Sequence, residues 1–293
     1  MNHFTIKDIA NLSGIKAHTL RIWEQRYRLF VPKRKESKHR YYDNDDLKHI
    51  LRISQLYHDG VKISKIASLS EADIRSLAMQ RGETNQSAGA YVQQLIEASV
   101  DFDEDKFEAT LNRAFRQFDF ETTIIDIVYV FLERVGLLWL TDKIIPAQEH
   151  FASNIVRRKI IAQIDRLKNT PSDSPDTYVL FTPEGEYHEI PLLLACYLMK
   201  AGGKRCIYMG IDVPLNDLKA YVQHKNPSHL YFHTITHFGE SSVDEMVSAI
   251  ATTFAAQQVV VAGPLTKNIT CKHNNLHVLY SIEEMLLFAK RPC

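Results

Sequence analysis

Three groups of residues in this 293-residue chain could do chemistry. The first is Glu186-Tyr187-His188, which follows the apolar run TYVLFTP. An imidazole can ligate a metal through one ring nitrogen while a carboxylate accepts from the other, fixing the tautomer and raising basicity. Taken alone, one His near a helix start reads more readily as a cap or surface residue. The second group is Trp139 with Glu149-His150. A short helix–helix connection, with Pro146 at the start of the following helix, brings an indole, a carboxylate and an imidazole to one end of a bundle. Its bland counterpart is a buried Trp beside surface polar groups. The third group is basic. Lys16, His18, Thr19, Arg21 and Arg26 share one helix face, and Lys33, Arg34, Lys35, Lys38, His39 and Arg40 precede the pair Tyr41-Tyr42. Such donors suit phosphates and base edges.

The elements that position the basic group read clearly. Thr5 is placed to cap a helix over residues 6–12, and Ser13-Gly14 breaks it. A second helix runs from about Lys16 to Tyr27 with Leu20, Trp23 and Tyr27 facing inward. Two short helices joined by a glycine turn are a helix-turn-helix. The stretch after Pro32 then reads as a β-hairpin wing along the phosphate backbone. Asp43 caps a third helix over 46–58, and a fourth covers about 62–67.

Gly82 to Ser87 reads as a polar linker without heptads. Residues 89–100, 104–117, 119–140 and 146–168 read as a four-helix bundle, with Leu95, Val100, Phe107, Leu111, Phe115, Phe118, Ile124, Ile127 and Leu132 as its core. A second linker, KNTPSDSPD, precedes alternating strands and helices, the pattern of a doubly wound, mostly parallel α/β sheet. The expected domains are therefore 1–80, 88–168 and 176–293. No G-x-G-x-x-G follows the first strand, which disfavours the usual dinucleotide fingerprint.

Charge is divided along the chain. Residues 1–65 hold 14 Lys and Arg against 7 Asp and Glu, and the rest carries −7, because the whole sums to zero. A basic head on an acidic body fits a nucleic-acid module fused to a non-binding remainder. The four Cys residues lack C-x-x-C spacing, which argues against a zinc site or disulfide frame. No apolar run of about 18 residues appears, and the start MNHFTIKDIA has no apolar leader segment, so no membrane partner and a cytoplasmic location are expected.

From Phe4 to about Leu69 the chain resembles the MerR family of winged helix-turn-helix DNA-binding domains. The residues that carry the likeness are T-L-R-x-W-E-x-R-Y and the wing ending H-R-Y-Y. The order winged helix, four-helix bundle, Rossmann-like (flavodoxin-like) α/β domain resembles the cobalamin-binding, light-responsive branch of that family (the CarH and LitR type). Trp139 with Glu149-His150 matches its W-x9-E-H, and Glu186-Tyr187-His188 matches its E-x-H-x-x-G except that Pro191 replaces the glycine. The resemblance implies adenosylcobalamin as cofactor and His188 as lower axial cobalt ligand. It also implies that Trp139, Glu149 and His150 line the upper face, while Glu186, Thr234 and Gly263 contact the cofactor. His233-Thr234-Ile235 stands where that branch has a small Ser, and Ala262-Gly263 where it has Gly-Gly; both add bulk beside the nucleotide tail. Leu140 follows Trp139 where the best-known photoreceptors carry a His that captures cobalt after light.

Three functions remain in view. One is a cobalamin-controlled, light-responsive repressor of promoter DNA, working as a homodimer or tetramer. Another keeps the architecture as a cobalamin-independent regulator, with the α/β domain serving protein interaction or another ligand. An enzyme using cobalamin would need a substrate-binding partner domain, for which the three segments leave no length.

Overall fold

A capped helix begins the described chain. The computed structural model describes residues 3–34, 40–84, 87–139, 146–167, 175–236 and 241–291. Thr5 and Asp8 form a reciprocal capping box at the start of α1 (Ile6–Ser13), and Gly14 ends it at φ 71°. That left-handed conformation suits glycine because a Cβ is disfavoured there. Helix α2 (Ala17–Ile22) continues as a wide π-type turn over Trp23–Tyr27. Leu20 and Trp23 are buried, whereas Tyr27 is only half-buried. The wing is β1 (Lys33–Arg34) against β2 (Arg40–Tyr41), antiparallel, and Phe4 bridges to Tyr42. Helix α3 (Asn44–His58) has its own capping box from Asp43 and Asp46, and α4 (Ile63–Ile66) follows.

Helix α5 (Glu71–Thr84) corrects one expectation, because Gly82, Glu83 and Thr84 extend a helix rather than open a linker. A single internal glycine costs only about 1 kcal/mol against alanine, and the neighbouring turns supply the rest. Asn85 and Gln86 lie outside the described residues. The bundle segments follow the expected bounds closely. They are α6 (Ala88–Val100), α7 (Glu104–Gln117), α8 (Phe120–Thr122) leading through a π-type stretch, Thr123–Tyr129, into α9 (Val130–Trp139), and α10 (Pro146–Arg166). Leu95, Val100, Phe107, Leu111, Ile124 and Ile127 are buried as expected. Phe115, Phe118 and Leu132 are half-buried; Phe115 stacks on Phe120, and Phe118 meets Tyr91 edge-on.

The chain divides into two compact units, Met1–Ile155 and Val156–Cys293, so the winged helix and most of the bundle share one unit. Most of the expected second linker, residues 168–174, lies outside the described residues. The second unit holds five parallel strands in the order β4-β3-β5-β6-β7. These are β3 (Thr177–Pro183), β4 (Arg205–Val213), β5 (His229–His233), β6 (Gln258–Ala262) and β7 (Leu276–Leu279). Helices α11 (Glu189–Ala201), α12 (Leu215–Lys225), α13 (Val243–Thr253) and α14 (Ile282–Lys290) cover it. The strand order is that of a flavodoxin-like sheet, whose ligands sit outside the carboxyl ends where the winding direction reverses. Here that reversal lies between β3 and β5.

Side chains alternate across the sheet. Leu230 and Phe232 of β5 join the core with Leu218, Val247 and Val261, and Tyr231 and His233 point to the other face. At the end of β6, Gly263 adopts φ 117°, and a Cβ there would lie 2.3 Å from the Thr234 carbonyl oxygen. Both strain and clash oppose any side chain. Gly263→Ala is therefore expected to lower the stability of the α/β unit by more than about 2 kcal/mol in urea unfolding; an unchanged midpoint would show that the two loops can part freely.

Candidate functional site

The loop between β3 and α11 is built around one carboxylate. Glu186 is 3% exposed. Its Oε1 lies 2.6 Å from His188 Nδ1 and accepts from the His188 backbone N–H at 3.0 Å. Its Oε2 accepts from the N–H groups of Ile235 at 2.6 Å and Thr236 at 2.8 Å, both in the loop after β5. Burial acts to raise this carboxyl, but the hydrogen bonds from His188, Thr236 and Ile235 outweigh it and hold Glu186 below the ordinary carboxylate range. The neighbouring turn is tied to β4: Gly185 N–H donates to Asp212 at 2.8 Å, and Asp212 N–H donates to the Thr182 hydroxyl at 3.0 Å.

His188 occupies the N-cap position of α11, yet its side chain makes no capping hydrogen bond. The side chain is 47% exposed while Glu186 beneath it is buried. An ionised Glu186 sets Nδ1 as the proton-bearing nitrogen, so Nε2 is the atom with the lone pair a metal would take. Among the described residues no cluster of three or more His, Cys, Asp or Glu is placed to hold a metal ion. One imidazole in a fixed tautomer suits a metal that needs a single protein nitrogen, as the cobalt of a corrin ring does. The donor set fits that group.

The expected cradle for a nucleotide tail is packed rather than open. Thr234, Ala262 and His233 are all buried. Thr234 N–H donates to the Ala262 carbonyl at 2.9 Å, and Gly263 lies against the Thr234 backbone. Pro191 falls in the first turn of α11, half-buried. A bulky group entering here has to displace the chain's own side chains, a cost of about 1–3 kcal/mol for each overpacked position.

His233 is a group whose environment the sequence did not reveal. Its Nδ1 is buried without a hydrogen-bond partner. Burial pushes the imidazole down to about 4, with the Glu186 carboxylate acting the other way.

The bundle-end residues are only partly placed. Trp139 ends α9, its side chain lying outside the described atoms, and Leu140 lies outside the described residues altogether. Glu149 and His150 sit in the first turn of α10 with Oε2 and Nδ1 3.2 Å apart. The Ser153 hydroxyl donates to Glu149, and His150 is 72% exposed on its side chain.

In the winged helix, Lys16, His18, Arg21, Arg26 and Arg40 are exposed, and Thr19 and Tyr41 are half-buried. Arg21, Arg40 and Lys7 border a groove of about 570 Å³ with Glu24 and Tyr42 at its wall. Glu24 organises that groove, a role the sequence reading missed. Its Oε1 lies 3.9 Å from Arg40 Nη2, and it accepts from the Tyr42 hydroxyl at 3.5 Å. Burial and then the Glu24 charge push Tyr42 up to about 12. Lys33 extends another expectation. It ion-pairs with the cap carboxylates Asp43 and Asp46, so it supports α3 as well as bordering the wing. Arg34 ends β1, its side chain lying outside the described atoms; Lys35, Lys38 and His39 lie outside the described residues.

A helix-turn-helix with a basic wing, joined to a helical bundle and a flavodoxin-like sheet, defines the class: a DNA-binding regulator with an attached ligand-domain fold. Residues 4–73 match the MerR HTH family regulatory protein model, and residues 91–162 match the B12 binding domain model. The chain is homologous to two repressors of Myxococcus xanthus. It is 25% identical to the HTH-type transcriptional repressor CarH, over 79% of each chain. It is 26% identical to the repressor CarA, over 71% of this chain and 68% of CarA. A solved structure, the Methanosarcina barkeri monomethylamine corrinoid protein, aligns with 70% of this chain and 99% of its own at TM-score 0.54 and 15% identity, a likeness of fold. No helix among the described residues is long and apolar enough to cross a membrane.

The buried imidazole sets a pH dependence. A histidine whose value falls from 6.5 to about 4 on folding is protonated first in the unfolded chain. Its share of stability is complete above pH 6.5 and is lost as pH falls toward 4. The α/β unit should lose about 2 kcal/mol between pH 7 and pH 5 from this group. Urea unfolding of wild type and His233→Leu should show a flatter pH slope in the variant; parallel slopes would place the titration elsewhere.

Proposed function

We propose that this chain is a transcriptional repressor that binds promoter DNA through residues 1–80 and is controlled by adenosylcobalamin. The observation that carries this reading is His188, held by a buried Glu186 at the winding reversal of the sheet, in a chain whose residues 4–73 match the MerR HTH family regulatory protein model. The similarity to the repressors CarH and CarA supports it. The cofactor would supply a cobalt able to take a nitrogen ligand, and a light-sensitive cobalt–carbon bond. His188 would hold that cobalt through Nε2. Glu186 would keep that imidazole in the coordinating tautomer, and Trp139, Glu149 and His150 of the bundle, 88–168, would contribute further contacts to the cofactor. Residues 176–293 form the cofactor domain, with Thr234 and Gly263 at its edge. Leu140 has no lone pair and could not serve as a cobalt ligand.

The reading includes a homodimer or tetramer, since a helix-turn-helix on a two-fold operator works in pairs. It includes a cytoplasmic location, where promoter DNA lies, and no catalytic turnover. A second reading is favoured by one observation, the packing of His233, Thr234 and Ala262 where a tail would enter. On that reading the α/β domain serves another ligand or a protein, and DNA binding is independent of cobalamin.

Gel-shift titrations on a duplex selected by the protein from a random pool separate the two. Adenosylcobalamin added in the dark should tighten binding, and green light should reverse it. Identical curves with and without cofactor would favour the second reading. In either case Arg21→Ala should weaken binding and flatten its salt dependence by about one unit of log–log slope. An unchanged slope would move the DNA interface away from α2.

A further inference from the structure

The turn between α1 and α2 is gripped from behind. As the last residues of α1, Leu12 and Ser13 have carbonyls left without helical donors. Arg134 of α9 donates from Nη1 to the Leu12 carbonyl at 3.1 Å, and Gln93 of α6 donates from Nε2 to the Ser13 carbonyl at 3.3 Å. His58 Nε2 of α3 also lies 3.4 Å from the Ser13 carbonyl. Leu12, Ser13 and Gln93 are all buried. Burial lowers Arg134 from its ordinary value, but a guanidinium stays charged. A cation on the last carbonyls of a helix also meets the negative end of the helix dipole.

The contact continues along α3 as charge pairs. Arg52 pairs with Glu97 of α6, which Lys106 of α7 also reaches at 3.0 Å. Lys48 reaches Asp101, just beyond α6, at 3.0 Å. All these contacts lie within the first compact unit. Meanwhile Lys16, His18, Arg21 and Arg26 stay exposed. The bundle therefore holds the DNA-binding module by its back and leaves its recognition side chains in solvent.

The geometry points to the bundle as a brace for the helix-turn-helix, with Arg134 as the positioning residue that links the two. Arg134 stands five residues before Trp139 on the same helix, about 7.5 Å along its axis at 1.5 Å per residue. A shift of the Trp139 end of α9 moves a guanidinium bonded to the DNA-binding turn. Through it the state of the bundle's end reaches DNA affinity without any DNA-contacting side chain changing partner. The brace itself stands on the hydrogen bonds above; that the transmitted state is cofactor occupancy rests on the proposed function.

Full-length wild type, Arg134→Met, Arg134→Lys and Gln93→Leu are compared in three measurements. Amide exchange should speed up at residues 12–15 in Arg134→Met and Gln93→Leu while the rest of α1 keeps its protection. Affinity for the selected duplex should fall roughly tenfold in Arg134→Met, the factor for about 1.4 kcal/mol of a lost charged hydrogen bond. Arg134→Lys, which keeps the cation, should recover part of both effects. Dark adenosylcobalamin uptake, read from visible absorbance, should match wild type, while the ratio of loaded to free DNA affinity should shrink toward one in Arg134→Met. Exchange and duplex affinity both within about twofold of wild type in Arg134→Met would overturn the brace. Absence of uptake in wild type would instead defeat the proposed cofactor, with the exchange and affinity arms still deciding on the brace. Altered exchange with an unchanged cofactor ratio would overturn the transmission.

Discussion

One buried carboxylate ties the α/β unit together at its carboxyl edge. Glu186 accepts hydrogen bonds from the imidazole and backbone of His188 and from two amides of the loop after β5. It therefore joins the two loops that flank the reversal of strand order, the position where sheets of this topology bind ligands. Without its partners a buried carboxylate would be costly; with them the charge is held and the loops cannot drift apart independently. The exposed imidazole above it inherits both its orientation and its tautomer from this arrangement. Removing the carboxylate would leave His188 in place in the sequence but unspecified in space.

The winged helix follows the same logic with a different carboxylate. Glu24 stands between Arg40 of the wing and the hydroxyl of Tyr42, so the wing and α2 present their cations from a common support. Asp43 and Asp46 similarly hold Lys33. In each case an acid inside a basic module positions the cations that remain exposed. Net charge describes the attraction to DNA, while these internal pairs determine which cations are available for it.

Much of this was legible in the sequence because the local signals agreed with one another. Thr5, Gly14 and Asp43 mark helix ends through chemistry confined to a few residues. The alternation of apolar runs and amphipathic helices after residue 176 could form few structures other than a parallel sheet. E-x-H likewise carried its carboxylate–imidazole pairing in the spacing. The parts that stayed hidden depend on contacts across the fold. Nothing around Lys33 distinguishes a phosphate contact from a cap ion pair until Asp43 folds beside it. Gly82 looked like a linker because its cost in a helix is small enough for the neighbouring turns to absorb. Nothing local in the sequence singles out Arg134 or Gln93, since their acceptors lie 122 and 80 residues away. His233 read only as added bulk beside a nucleotide tail, and the packed sheet is needed to show an imidazole sealed in without a partner for Nδ1.

His188 is proposed to present a nitrogen to cobalt. Electron paramagnetic resonance of the protein loaded with cob(II)alamin measures that bond directly, because a single axial nitrogen splits each cobalt line. Protein grown with nitrogen-15 histidine should convert the triplet splitting to doublets, and His188→Ala should abolish the conversion. Triplets that persist in the labelled protein would mean that the axial nitrogen comes from the cofactor's own base, and would contradict the role assigned to His188.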